Sequence, residues 1–236
     1  LLLIVLTYHF WRVRKDGGIS QPLPKEGEKV ARVTTIPHLV RRELAVGAAV
    51  IAGILLWSMF TPAPLGSIAN PLHSPNPAKA AWYLGGIQEL LLHMDTLGAM
   101  LLVVILLVGI ALIPFIDRRD ANIGIYFRSV IGRRAAIVGT ILALDLVPLL
   151  VVADEGWKGF SSALPTWPPF VADGLIPLGL VLLGLGLIYV FIQRVFKANR
   201  SETLVGMFAF IMTSFIVLTV ICAFFRGPNM ALVLPF

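Results

Sequence analysis

Few side chains in this chain can do chemistry, and most of them stand at the ends of apolar stretches. His9 comes one turn before a basic run, Arg12, Arg14 and Lys15. A neutral imidazole can give an axial nitrogen to a haem iron, and neighbouring cations can pair with propionates. Trp82 and Tyr83 lead into Leu84-Gly85-Gly86-Ile87-Gln88-Glu89-Leu90, a segment that reads as a short amphipathic helix closed by His93 and Asp95. An aromatic wall with a carboxylate a turn and a half away can hold a ring and take a proton from it, which makes Tyr83 and Glu89 the candidate reactive pair. Glu89 on a wet helix face is the bland alternative; His93 and Asp95 read as a proton exit or, more simply, as a solvated helix end.

Further candidates lie elsewhere. His38, Arg41, Arg42 and Glu43 cluster at the entrance of an apolar run, and Asp145 in GTILALDLVPLLV is a carboxylate well inside one. An acid within a membrane span calls for a function, a partner or a proton of its own. A protonated Asp145 donating to the backbone carbonyl that Pro148 frees would satisfy it. Cys222 is the one cysteine, so a disulfide framework, a CxxCH attachment and a cysteine-held cluster are excluded on this chain. Gly184 and Gly186 are expected to allow close helix packing, and the Phe225-Arg226-Gly227-Pro228-Asn229 turn to contact a neighbouring subunit.

The elements that must position these groups are apolar helices. The 236 residues are 58% hydrophobic and 14% charged, with mean hydropathy +0.88, too little charge to coat a soluble domain. Apolar runs at about 45–61, 97–115, 134–152, 173–194 and 204–224 can each cross about 30 Å of hydrocarbon. The opening LLLIVLTYHFW reads as the end of a further helix that begins outside the chain. The expectation is an all-α polytopic membrane protein with one partial and five complete spans and a short interfacial helix.

Charge orders these spans. The loops at 12–44, 116–134 and 194–203 carry sixteen of the nineteen Lys and Arg; the alternate segments carry Lys79, Lys158 and Arg226. By the excess of basic residues on the inner side, the basic loops face the cytoplasm and residues 62–96 the outer side. The pI of 9.8 thus reports topology and contact with lipid headgroups, and no nucleic-acid partner is implied. Trp157 and Trp167 suit an outer aromatic belt.

Two motifs in this order resemble cytochrome b of the bc and bf complexes. His9-Phe10-Trp11-Arg12-Val13-Arg14-Lys15-Asp16-Gly17-Gly18-Ile19-Ser20 is similar to the end of the haem-binding half in the bf branch, and Ala80-Ala81-Trp82-Tyr83 is similar to the Pro-Glu-Trp-Tyr of the quinol-site loop, with the Pro-Glu half lost. The resemblance divides the chain into 1–23, the end of the haem-binding half; 24–152, a subunit IV-like domain; and 153–236, a two-span extension.

The resemblance implies a subunit of a quinol:cytochrome c oxidoreductase in a bacterial-type inner membrane. His9 would be a ligand to a b haem shared with a helix absent from this chain. Arg12, Arg14, Lys15, Trp82 and Glu43 would contribute to the haem and quinone sites, and Glu89 would replace the missing motif glutamate. Expected partners are the N-terminal cytochrome b helices, a Rieske iron–sulfur protein, a cytochrome c subunit carrying its own haem, and membrane lipids, in a dimeric complex. His73 is placed as a loop residue with a Rieske contact as its functional reading. A cytochrome b-like quinone-reactive anchor of another oxidoreductase is the alternative. A transporter would need paired intramembrane polar groups and repeats, and only Asp145 is available.

Overall fold

A computed structural model describes residues 2–16, 34–61, 68, 70–72, 74–117 and 129–233. Its described residues form two compact units that divide between Ser74 and Pro75.

The first unit holds α1 (Leu2–Lys15) and α2 (Val40–Phe60), the latter entered through a π-helical turn at Thr35–Leu39. In α1 the basic end is organised locally: Arg12 Nε pairs with Asp16 at 2.9 Å, and Lys15 lies 5.0 Å over the Trp11 ring. Both are i, i+4 neighbours on one helix face. Neither α1 nor α2 buries a residue, so their apolar surfaces are available to lipid or to other helices.

The second unit begins with a 3-10 turn, Trp82–Leu84, and α3 (Gly85–His93). Next come α4 (Thr96–Ile116), α5 (Val130–Glu155), the single turn α6 (Phe160–Ala163), and a π-helical segment Phe170–Leu175 that continues into α7 (Ile176–Val195). It closes with α8 (Arg200–Phe224) and a 3-10 turn at Pro228–Met230. The described elements are helical throughout, and five helical stretches are long and apolar enough to cross a membrane: Thr35–Phe60, Thr96–Ile116, Val130–Glu155, Phe170–Val195 and Arg200–Phe224. They match the five complete spans expected from hydropathy.

Caps fix where these helices start. The Ser129 hydroxyl accepts from the Ile131 and Gly132 amides at the head of α5, and Asn199 and Glu202 form a reciprocal capping box on α8. Ser129 also donates to Glu202, which ties the two starts together. α5 and α8 therefore run parallel, with α7 returning between them in sequence.

Small residues set how close the helices come. Gly132, Ala135, Ala136, Gly139 and Ala143 make one buried face of α5, and a Cβ at Gly139 would collide with the Gly206 carbonyl of α8. Gly98 of α4 meets Gly174 in the same way, where a Cβ would lie 2.5 Å from the carbonyl oxygen. With backbones this near, dispersion replaces the hydrophobic drive that lipid does not supply. Gly184 and Gly186, expected to serve this purpose, have open space where a Cβ would point; the packing side of α7 instead presents Leu178 and Ile192.

Gly139→Leu is expected to lower stability by about 1–3 kcal/mol through overpacking, whereas Gly184→Leu should be tolerated. Thermal unfolding of both variants in detergent checks the contrast, which equal effects would contradict.

Candidate functional site

At the end of α5 and α8 opposite the Ser129–Glu202 tie, five ionisable side chains from three elements meet. α3 supplies Glu89 and His93, one turn apart on the same face. α5 supplies Asp154 and Glu155 from its last turn. The chain beyond α8 supplies Arg226.

Arg226 reaches the cluster because the tail folds back on itself. The Gly227 amide donates to the Ala231 carbonyl at 2.9 Å and the Val233 amide to the Phe225 carbonyl at 2.8 Å. Asn229 takes the left-handed conformation, φ 55°, which asparagine tolerates better than most residues. α3 is seated on α8 by Gly86, whose Cβ would approach the Phe215 ring and carbonyl within 2.9 Å.

The guanidinium is buried and its donors are shared among several acceptors. Nε and Nη2 donate to Glu89, with Nε at 3.0 and 3.1 Å from its two oxygens and Nη2 at 2.7 Å from Oε1. Nη1 donates to Glu155 Oε2 at 2.7 Å and to the Met230 carbonyl at 2.9 Å. The other Glu155 oxygen accepts from the Leu232 amide at 2.9 Å. Such fork-shaped pairing suits arginine and not lysine.

His93 connects this pair to the outside. Its Nδ1 lies 2.6 Å from Asp154 Oδ2 and its Nε2 3.2 Å from Glu89 Oε1. Side-chain exposure rises along the line, from 0% at Glu89 to 14% at His93 and 38% at Asp154. When protonated, the ring donates to both carboxylates. When neutral with its proton on Nδ1, its Nε2 can accept from Arg226 Nη2 at 3.4 Å.

Burial alone would raise the Glu89 carboxyl, but hydrogen bonds from His93 and Arg226 and the guanidinium charge together hold it below its ordinary range. Burial alone would lower His93, but hydrogen bonds and charge from Glu89 and Asp154 raise it above the ordinary 6.5. With every carboxylate ionised the cluster carries −1 while His93 is protonated and −2 once it is neutral.

The aromatic pair occupies a different environment. Trp82 and Tyr83 are exposed and stack edge to face, centroids 5.8 Å apart. The loop before them is strapped down: Gln88 donates to the Ala78 carbonyl at 2.7 Å and accepts from the Ala80 amide at 2.6 Å, while Lys79 donates to the Ala223 carbonyl at 2.8 Å. Asn76 and Asn229 hydrogen-bond through side chain and backbone.

The remaining candidates are dispersed. His9 is exposed on α1, in edge contact with Phe10 alone among the described residues. Arg12 is paired with Asp16, Arg14 and Lys15 lie on the exposed end of the same helix, and Glu43 is exposed in the first turn of α2. His73 lies outside the described residues. Asp95 caps α4 by accepting from the Leu97 amide at 3.0 Å, and the acidic partners of His93 are Asp154 and Glu89. Asp145 faces outward and makes no hydrogen bond with the described residues, so the bond to the carbonyl freed by Pro148 is not formed.

Arg226, Asp154 and Glu155 escaped sequence reasoning, and the turn expected to reach a neighbouring subunit points into its own. Span alternation held the signal: an acidic pair at one span's end and a lone arginine past another's fall on the same side.

Arg226→Leu is expected to cost about 3–5 kcal/mol by leaving Glu89 buried with His93 as its one remaining charged partner, with the Glu89→Leu, Arg226→Leu double variant recovering much of it; denaturation of both in detergent is the measurement. Stability should also follow pH with two limbs. Glu89 is held below 4.5, so its contribution is complete above that value and is lost as pH falls through the folded-state value. His93 is held above 6.5, so its contribution is complete below that value and is lost as pH rises through the folded-state value. Thermal melts of His93→Gln should lack the alkaline limb and keep the acid one.

Neither a protein-family model, a curated protein nor a solved structure matches this chain.

Proposed function

We infer that this chain is part of the cytochrome b subunit of a membrane quinol:cytochrome c oxidoreductase and contributes to its outer quinol-oxidation pocket. The observation that carries this reading is a juxtaposition on one short stretch. An exposed Trp82–Tyr83 pair opens α3, and the same helix carries a buried carboxylate and a histidine hydrogen-bonded towards a more exposed carboxylate.

In this reading the aromatic pair holds the quinol ring, and oxidation to quinone releases two protons and two electrons. The electrons would pass to an iron–sulfur cluster on a partner subunit and to a b haem. Arg226 keeps Glu89 ionised, so Glu89 acts as the anion that makes His93 basic, and the proton-accepting role expected of Glu89 passes to its neighbour. A histidine whose proton affinity is raised by two carboxylates is suited to general-base chemistry. His93 takes one of the two protons on Nε2 and gives one up to Asp154 from Nδ1, and the second proton leaves to water on the exposed side of the aromatic pair.

The residues of α1 fit a haem edge: His9 has no hydrogen-bonding partner among the described residues, and Arg14 and Lys15 stand within two turns of it. His9 would give one axial nitrogen and the cations would face propionates. The haem itself supplies one-electron transfer.

The purified complex containing this chain should show b-type haem in a reduced-minus-oxidised spectrum, partly reducible by quinol and fully by dithionite. Absence of b haem would overturn the assignment. His93→Gln should slow quinol-dependent haem reduction by about a hundredfold and remove the rise of rate with pH through the histidine's titration, while Glu89→Gln should lower the pH at which that rise occurs.

A further inference from the structure

Asp145 stands 15 residues into α5 and 10 from its end. At about 1.5 Å per residue that is about 22 Å from one end and about 15 Å from the other, near the middle of the hydrocarbon. Gly132, Ala135, Ala136, Gly139 and Ala143 are buried on one side of the helix. Asp145 lies on the opposite side with Ile137, Ile141, Leu144, Leu149 and Val152, all exposed.

A lipid-facing stripe needs only apolar residues, and a carboxyl at its centre loses water without gaining a partner. Intramembrane acids in helical proteins accordingly face other protein groups or water-filled cavities. A partner that keeps the carboxylate ionised must bring a hydrogen-bond donor of opposite charge to mid-depth. The five complete spans within these residues have none to offer: between residues 44–60, 96–116, 135–155, 170–193 and 201–224 there is no Lys, Arg or His, and His9 of the partial span stands one turn from the basic end of α1 and not at mid-depth.

We propose that the Asp145 face of α5 is a docking surface for a transmembrane helix of another subunit, which sets an arginine, lysine or histidine against the Asp145 carboxylate. Charge selects the occupant, because an apolar helix would bury the carboxylate unpaired. The flanking isoleucine and leucine side chains one turn to either side supply the packing that excludes lipid. The quinol-site reading plays no part in this proposal, which would hold equally for a membrane protein of another function.

The test uses the assembled complex in native membranes, with a photo-crosslinking side chain at Ile141 or at Leu149. The expected product joins this chain to an apolar span of a different subunit, with a Lys, Arg or His within one turn of the linked residue. Its yield should fall at least tenfold in Asp145→Asn and stay near wild type in Asp145→Glu. Asp145→Arg should recover the product when the partner's cation is replaced by aspartate, a result that a variant which simply fails to fold cannot give. Linkage to lipid alone, to a second copy of this chain, or to a span without a cation at that depth overturns the proposal, as does a yield indifferent to Asp145→Asn.

Discussion

The buried guanidinium of Arg226 is the constraint on which the end of the helical unit depends. It is a permanent charge at 4% exposure, tolerable only where carboxylates and a carbonyl take its hydrogen bonds in the right geometry. Those acceptors come from α3, from the end of α5 and from the guanidinium's own fold-back loop. Removing any one of them leaves charge or a donor uncompensated in a poorly solvated place, so three elements remote in sequence are held to one register. A buried ion pair is poor evidence of net stability, since desolvation offsets much of its attraction. Its effect here is selection: few other arrangements of these helices would leave the same groups paired.

That selection works because the backbones can approach. Gly139 against Gly206 and Gly86 against Phe215 bring α5 and α3 onto α8 at distances that any larger residue would prevent. Parallel travel of α5 and α8 then delivers both of their ends to one side, the Ser129–Glu202 tie at the start and the Arg226–Glu155 pair at the finish. The ionic cluster is therefore a consequence of small-residue packing at Gly139, 16 residues before Glu155, and at Gly206, 20 residues before Arg226. His93 sits at the edge of this arrangement with a different acidic partner on each ring nitrogen, and its titration changes which group its Nε2 addresses. The structural ion pair and the proton-handling histidine thus share one carboxylate, Glu89, and a change at either is felt by both.

Asp145 presents the opposite situation. The same helix that buries its glycines against α8 turns a carboxylate away from it, with apolar residues all around. One face of α5 is complete within this chain and the other is not.

By itself the sequence determined the five complete spans, because hydropathy over twenty residues is a local property that tertiary context does little to alter. It also exposed the surface helix after Trp82-Tyr83 and the unusual acid at position 145. Pairing was beyond it. Glu89 reads as a proton acceptor or as a carboxylate on a wet face until Arg226, 137 residues later, is known to fold back onto it, and Gly184 reads as a packing residue until Gly139 and Gly206 are seen to hold that role. Helix rotation and close approach decide such matters, and both depend on which faces meet in space, which no local pattern records.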